Sequence, residues 1–268
     1  MKTIIYYFSA TGNSLQLART LTKNLPNSQL ISMAALVGNK TIDTDCEQLG
    51  LVFPVFAWGL PRIVSEFVSK LSVKGKPYVF AVATCVAIPG NTLVELKALL
   101  ANKGLDLNAG FAVSAARSSL MKMNMLDKVI IMLDQKRKCI KNGDTRLAEI
   151  VDIVKCQELH DPETSSWAAK RFGSMFHKLA INSFKTIDKK FKVEANCIGC
   201  GTCSKICPRS NIIIVNNHPE FKHNCELCHA CIQWCPKFAI KHPDFDTSLP
   251  QQRNPSVLAT ELFQEMPQ

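Results

Sequence analysis

Eight of the twelve cysteines in this 268-residue chain fall in two copies of one pattern, Cys197-x2-Cys200-x2-Cys203-x3-Cys207-Pro208 and Cys225-x2-Cys228-x2-Cys231-x3-Cys235-Pro236. Three thiolates at this spacing can wrap one corner of a cubane iron–sulfur cluster on a tight loop, but the fourth iron then faces away from that loop. In the two-cluster arrangement each fourth cysteine crosses over. Cys197, Cys200, Cys203 and Cys235 are therefore expected to hold one [4Fe-4S] cluster, and Cys225, Cys228, Cys231 and Cys207 the other. Corresponding cysteines lie 28 residues apart (197 to 225, 207 to 235), an internal repeat that predicts a pseudo-twofold unit. Zinc also uses C-x2-C pairs, but it needs only two of them and has no use for the third cysteine or the proline.

On these residues the segment from about Val193 to His242 resembles the bacterial-type ferredoxins. Thiolate-bound clusters need reducing conditions, so the cysteine usage points to the cytoplasm rather than to a disulfide framework. Cys46, Cys85, Cys139 and Cys156 show no partner spacing and read as packing or surface thiols. No apolar stretch approaches the roughly 18 residues of a membrane span, and the run Ile4 to Phe8 is too short for a signal peptide.

The N-terminal part alternates short apolar runs with helical segments, the order of a parallel sheet covered on both faces. Residues 3–8, 29–32, 48–53, 77–84 and 109–113 read as strands, and 13–23, 61–71 and 92–103 as the helices between them. In such a sheet ligands sit at the carboxyl ends of the strands, which directs attention to three loops.

The first loop, Ser9-Ala10-Thr11-Gly12-Asn13-Ser14, has small hydroxyl residues and a glycine at a helix N-terminus, and could enclose a phosphate without a cation. It is neither a P-loop nor a G-x-G-x-x-G fingerprint. The second, Pro54-Val55-Phe56-Ala57-Trp58-Gly59-Leu60-Pro61, offers two aromatics on which a flat ring could stack. The third, Thr84-Cys85-Val86-Ala87-Ile88-Pro89-Gly90, could edge the same ring.

Through FSATGNS and FPVFAWGLP the chain resembles the flavodoxins, and more closely the proteins that fuse a flavodoxin-like domain to a two-cluster ferredoxin. The resemblance covers roughly residues 3–116 and 193–242. It implies FMN, with Ser9, Thr11, Gly12, Asn13 and Ser14 on the phosphate and Trp58 beside the isoalloxazine; Pro54, Phe56, Ala57, Thr84, Cys85 and Gly90 complete the expected pocket. Val86 and Ala87 stand where such proteins usually carry glycine. The fold class that follows is α/β: a five-stranded parallel flavodoxin-like sheet with helices on both faces, a helical connector, and a small α+β ferredoxin-like domain. The expected boundaries are 1–160 for the FMN domain, 161–192 for the connector, 193–245 for the two-cluster domain and 246–268 for a C-terminal tail.

Between the cofactor units, residues 126–139 and 147–156 read as helices broken at Asn142-Gly143-Asp144, and a long helix is expected from Ser166 to about Phe191. Phe172, Met175, Phe176, Leu179, Phe184, Ile187 and Phe191 recur at helical intervals and predict one buried face, packed along the flavin domain. Residues 163–192 hold seven Lys/Arg against two Asp/Glu, so a basic helix lying on a membrane is the rival reading. Lys185, Lys189, Lys190 and Lys192 are expected to lie against the cluster-bearing unit. The net charge of +10 falls once cluster thiolates and a flavin phosphate are counted, and no nucleic-acid-binding pattern is present. The whole reads as an electron-transfer carrier that joins FMN to two clusters and serves protein redox partners, with no catalytic acid, base or nucleophile. An FMN-dependent reductase of a nicotinamide or quinone, and a redox sensor, are the alternatives.

Overall fold

The computed structural model describes residues 1–116, 119–122, 125–132, 134, 143–181, 183–246 and 250–263. The first part contains strands β1 (Thr3–Tyr7), β2 (Ser28–Ser32), β3 (Ile42–Thr44), β4 (Gln48–Pro54), β5 (Leu71–Val73), β6 (Tyr78–Cys85) and β7 (Leu107–Ser114). Between them run helices α1 (Asn13–Asn24), α2 (Met33–Leu36), α3 (Arg62–Lys70) and α4 (Thr92–Ala101). β2-β1-β4-β6-β7 form one parallel sheet in that order, the flavodoxin-like order with its switch point between β1 and β4. β3 and β5 pair separately, a three-residue addition that the sequence reading missed.

The strands read as continuous apolar runs because both faces are covered. Ile4, Tyr6, Leu49, Leu51 and Phe53 pack with Ile63, Phe67 and Leu96 of α3 and α4. Ile5, Val52, Phe80, Val82 and Phe111 pack on the other face with Ala18 and Leu21 of α1 and with Ile150 and Val154 further along the chain. The register brings Tyr7 beside Val52, Pro54 beside Thr84 and Cys85 beside Ser114, so the three loops of interest leave the sheet at one edge.

The connecting region holds α5 (Met125–Met132), α6 (Gly143–Lys155), α7 (Trp167–Ala180) and a 3-10 stretch, Ser183–Lys190. The part of the expected helix that runs over 135–139, with Cys139, lies outside the described residues. Two expectations are corrected. The long helix stops at Ala180, and a 3-10 stretch, Ser183–Lys190, follows. Among the described side chains of α7, Ala169, Gly173 and His177 are buried, whereas Phe172 and Met175 are exposed; the side chains of Phe176 and Leu179 lie outside the described ones. Periodicity alone could not reveal that small residues, which allow close approach, face inward. Phe184, Ile187 and Phe191 are covered as expected, but against the cysteine-rich unit rather than the sheet.

That unit comprises β8 (Lys192–Val193), α8 (Thr202–Lys205), β9 (Ile212–Val215), β10 (His218–Phe221), α9 (Ala230–Gln233) and β11 (Ile240–Lys241), with β9 paired to β10 and β8 to β11. Its two halves repeat in backbone detail. Gly199, Gly201 and Ser210 have φ of +65°, +72° and +46°, and their counterparts 28 residues on, Leu227, His229 and Phe238, have +55°, +61° and +49°.

The expected tail is no tail over 250–263. Gln251 Nε2 donates to the Ile232 and Cys235 carbonyls at 3.1 and 2.7 Å, the Asn254 N–H donates to the Thr11 carbonyl at 2.8 Å, and Val257 and Leu262 are buried. Arg19 of α1 pairs with Glu261. This strap ties the cysteine-rich unit to the first loop of the sheet.

Candidate functional site

A cavity of about 910 Å³ opens at the carboxyl edge of the sheet, in the size range of small-molecule sites. Ser9, Thr11, Asn13, Ser14, Pro54, Phe56, Ala57, Trp58, Thr84 and Cys85 all line it, so the topology gathers ten of the twelve residues expected around a flavin. The other two, Gly12 and Gly90, stand behind the wall. At Gly12 (φ +96°) an added Cβ would come within 2.9 Å of Asn254 and 3.0 Å of Val257, so this glycine faces the strap. At Gly90 (φ +61°) it would meet the Trp58 carbonyl oxygen at 2.0 Å, so this glycine lets the third loop pass beneath the second.

The first loop enters α1 with no side-chain cap, leaving the first-turn N–H groups directed at the cavity. The Ser9 hydroxyl accepts the Gly12 N–H at 3.1 Å, and the buried Ser14 and Thr84 hydroxyls lie 2.8 Å apart, joining first and third loops. Asn13 donates to the Ala116 carbonyl at 3.1 Å and accepts from Asn254 Nδ2 at 3.2 Å. In the second loop Phe56 and Gly59 exchange backbone hydrogen bonds at 3.1 and 3.0 Å around Ala57 (φ +46°) and Trp58 (φ +61°). Two non-glycine residues held left-handed in one turn are strained, and the turn aims the indole at the cavity. Burial, reinforced by the charges of Glu163 and Asp134, pushes the Cys85 thiol up to about 12, so this wall residue is a protonated, inert thiol.

Sequence reasoning missed the opposite wall. Met121, Lys122, Lys128, Ile131 and Met132, then Phe184 and Ile187, and finally Leu227, Cys228 and His229 face the three loops. Cys228 belongs to the cysteine repeat, but nothing in its spacing signals a second position against this cavity. The left-handed pair that is Gly199 and Gly201 in the first repeat is Leu227 and His229 in the second, where side chains fill the wall.

The eight repeat cysteines form two groups. Cys197, Cys200, Cys203 and Cys235 line a single recess. Cys207 lies with the second repeat: it is within electrostatic reach of both Cys225 and Cys228. Each group thus contains one cysteine from the other repeat. Burial raises Cys203 and Cys225 to about 12, with neighbouring thiols adding to it, so a positive core is needed to hold them as thiolates. The Asn211 and Ala239 N–H groups, 28 residues apart, each donate to the sulfur four positions back, Cys207 and Cys235, at 3.4 Å. Backbone N–H groups aimed at sulfur suit an iron–sulfur cluster.

The cysteine-rich unit is fixed to the sheet by charge. Arg209 bonds Glu226 Oε2 through Nε at 2.6 Å and pairs with Glu66 of α3, while Arg62 lies 3.6 Å from Glu226. The expected lysine contact is lesser: Lys190 approaches Asp244 at 3.9 Å on the surface.

A family model for the 4Fe-4S binding domain matches residues 191–213. A curated protein of Methanosarcina acetivorans, one of the subunits of its ion-translocating oxidoreductase complex, is 36% identical over 66 residues, which make up 24% of this chain and 25% of that relative. Among solved structures, a flavoprotein in complex with FMN from Lactobacillus acidophilus is 14% identical, covering 41% of this chain and 92% of its own at TM-score 0.33. An azoreductase from Bacillus anthracis is 9% identical, covering 58% and 100% at TM-score 0.35. At those values the flavodoxin-like fold rests on the strand order. The chain therefore combines a flavodoxin-like sheet with an iron–sulfur domain, an electron-transfer architecture.

Proposed function

We propose that the chain is an electron carrier that joins one FMN, in the cavity at the sheet edge, to two [4Fe-4S] clusters with crossed ligation. Residues 1–160 serve the flavin, 161–192 connect, and 193–245 hold the clusters. The observation that carries this reading is Cys228, which belongs to the second group of thiols and also lines the cavity. A flavin exchanges electrons singly or in pairs and each cluster takes one, so the pairing suits traffic between two-electron and one-electron partners. The chain's own residues bind and shield. The first-turn N–H groups of α1 and the hydroxyls of Ser9, Thr11 and Ser14 would take the phosphate, Trp58 and Phe56 the ring, and Leu227 and Phe184 would exclude water between ring and thiols. Cys197, Cys200, Cys203 and Cys235 would hold one cluster, and Cys207, Cys225, Cys228 and Cys231 the other. The partners are redox proteins, and a reducing compartment such as the cytoplasm suits the thiols. No described helix is long and apolar enough to cross a membrane.

Anaerobically purified protein should contain about eight iron, eight acid-labile sulfide and one FMN. Four iron or fewer after full reconstitution, or no flavin, would defeat the reading. One observation favours a second reading: the cavity continues past the three loops to Met121, Lys122 and Lys128, room for a small acceptor beside the ring. Anaerobic turnover with NADH, NADPH and soluble quinones distinguishes a reductase from a carrier.

A further inference from the structure

Helices α5 and α7 pack against each other. The Ser166 N–H donates to Asp134 Oδ1 at 3.0 Å, fixing the start of α7 beside the end of α5. Their outward sides are strongly apolar: Met125 is 78% exposed, Met132 75%, Trp167 74%, Met175 56% and Phe172 46%. These are large side chains that a water-facing helix pair would ordinarily bury, and this one pair of helices carries five of them. The inward stripe of α7 is already taken by Ala169, Gly173 and His177, so no rotation of the helix would hide them without exposing its packed side.

Among the described side chains of the two helices, the charges outside the core have one sign. Among the described side chains of α5, α7 and residues 121–122, those charged and outside the core are Lys122, Lys128, Lys170 and Arg171. Tryptophan, phenylalanine and methionine flanked by lysine and arginine is the pattern of a helix lying in the headgroup plane of a bilayer. A second copy of the chain is a poor occupant, because two such faces would set cation against cation. Met121, Lys122, Lys128 and Met132 also line the cavity, so the face surrounds its mouth.

We propose that α5 and α7 dock this protein on an anionic membrane surface, with the cavity mouth turned toward the lipid headgroups. The contact is with the membrane surface, and no described helix is long and apolar enough to cross it.

The test is sedimentation of anaerobically purified holoprotein with vesicles of phosphatidylcholine alone or mixed with phosphatidylglycerol. Binding should require the anionic lipid and disappear at about 1 M salt, where the screening length is about 3 Å. Each cation near such a surface is worth roughly fivefold in affinity, so Lys128→Gln with Arg171→Gln should weaken binding about 25-fold. Phe172→Ser with Met132→Ser should abolish it, while Leu159→Ser, on an apolar residue 81% exposed and outside both helices, should leave it unchanged. All these positions are on the surface, and unaltered cluster absorbance checks that each variant is folded. Failure of the parent protein to sediment with anionic vesicles would overturn the proposal, as would equal binding by the Phe172/Met132 variant. A concentration-dependent dimer or a bound acidic protein that the same substitutions remove, without vesicle binding, would assign the face to that partner instead.

Discussion

The Glu226 carboxylate, one residue beyond a repeat cysteine, accepts the backbone N–H of Ile63 at 3.0 Å in the first turn of α3. A buried acid thereby caps a helix of the sheet domain from within a cysteine loop, while Arg209 and Arg62 balance its charge. Glu226→Ala should cost about 3 kcal/mol, because it leaves the Arg62 guanidinium without its carboxylate, takes one of two carboxylate partners from Arg209 and leaves an N–H unsatisfied. Denaturant unfolding measures the loss, and faster exchange of the Ile63 amide locates it.

The same network has a defined acid limit. Burial alone would raise Glu66, but hydrogen bonds from Lys70 and Arg209 outweigh it and hold the carboxyl below its ordinary 4.5. A lowered acid stabilises the folded form above its unfolded value and loses that contribution as pH falls through the folded value. The docking of the two units should therefore be insensitive to pH near neutrality and weaken below about pH 4.5, less so in Glu66→Gln. Pulse proteolysis of parent and variant across that range reads the difference.

Crossed grouping of the cysteines predicts crossed damage. Cys207→Ala should disturb the cluster assigned to Cys225, Cys228 and Cys231, and Cys235→Ala the one assigned to Cys197, Cys200 and Cys203. Paramagnetic spectra that resolve the two clusters should show each variant losing the signal of the opposite repeat; loss within its own repeat would reverse the assignment.

Thiol reactivity separates the unpaired cysteines. Burial raises Cys85 to about 12 and Cys46 to about 11, whereas Cys156 is exposed. At pH 8 iodoacetamide should label Cys156 and spare Cys46 and Cys85 in the folded holoprotein, as mapped by mass spectrometry. Labelling of Cys85 at a rate near that of Cys156 would mean that its burial is wrong.

Gly12→Ala should loosen the strap. The left-handed backbone and the approach of Asn254 and Val257 leave no place for a methyl group, at a cost of about 1–3 kcal/mol. Protease cleavage within 250–263 should accelerate, and Asn254→Ala should reproduce the effect more weakly, by about 1 kcal/mol.

The five sheet strands were legible because runs such as Tyr78 to Cys85 are buried along their whole length, a signal that needs no knowledge of partners. The cysteine repeat was legible because metal geometry fixes its spacing. α7 was legible as a helix but not in orientation, since Phe172 and Met175 carry a stronger hydrophobic signal than the Ala169 and Gly173 that face inward. The strap gave no signal at all: Gln251 and Asn254 are ordinary polar residues whose partners lie far away in the chain. The same is true of Cys228, whose place against the cavity depends on how the two units are joined.

The strap also bears on how the protein assembles. Asn254 reaches the Asn13 side-chain oxygen across 241 residues, and Glu261 reaches Arg19 across 242. During synthesis the first loop emerges early and can settle on its sheet, while the segment that covers it is made long afterwards. Contacts of such separation form late, because their loop-closure entropy must be met before they return any energy. The first loop should thus pass through a stage in which it is folded but uncovered, and that interval is when the phosphate of the proposed FMN would have freest access to it.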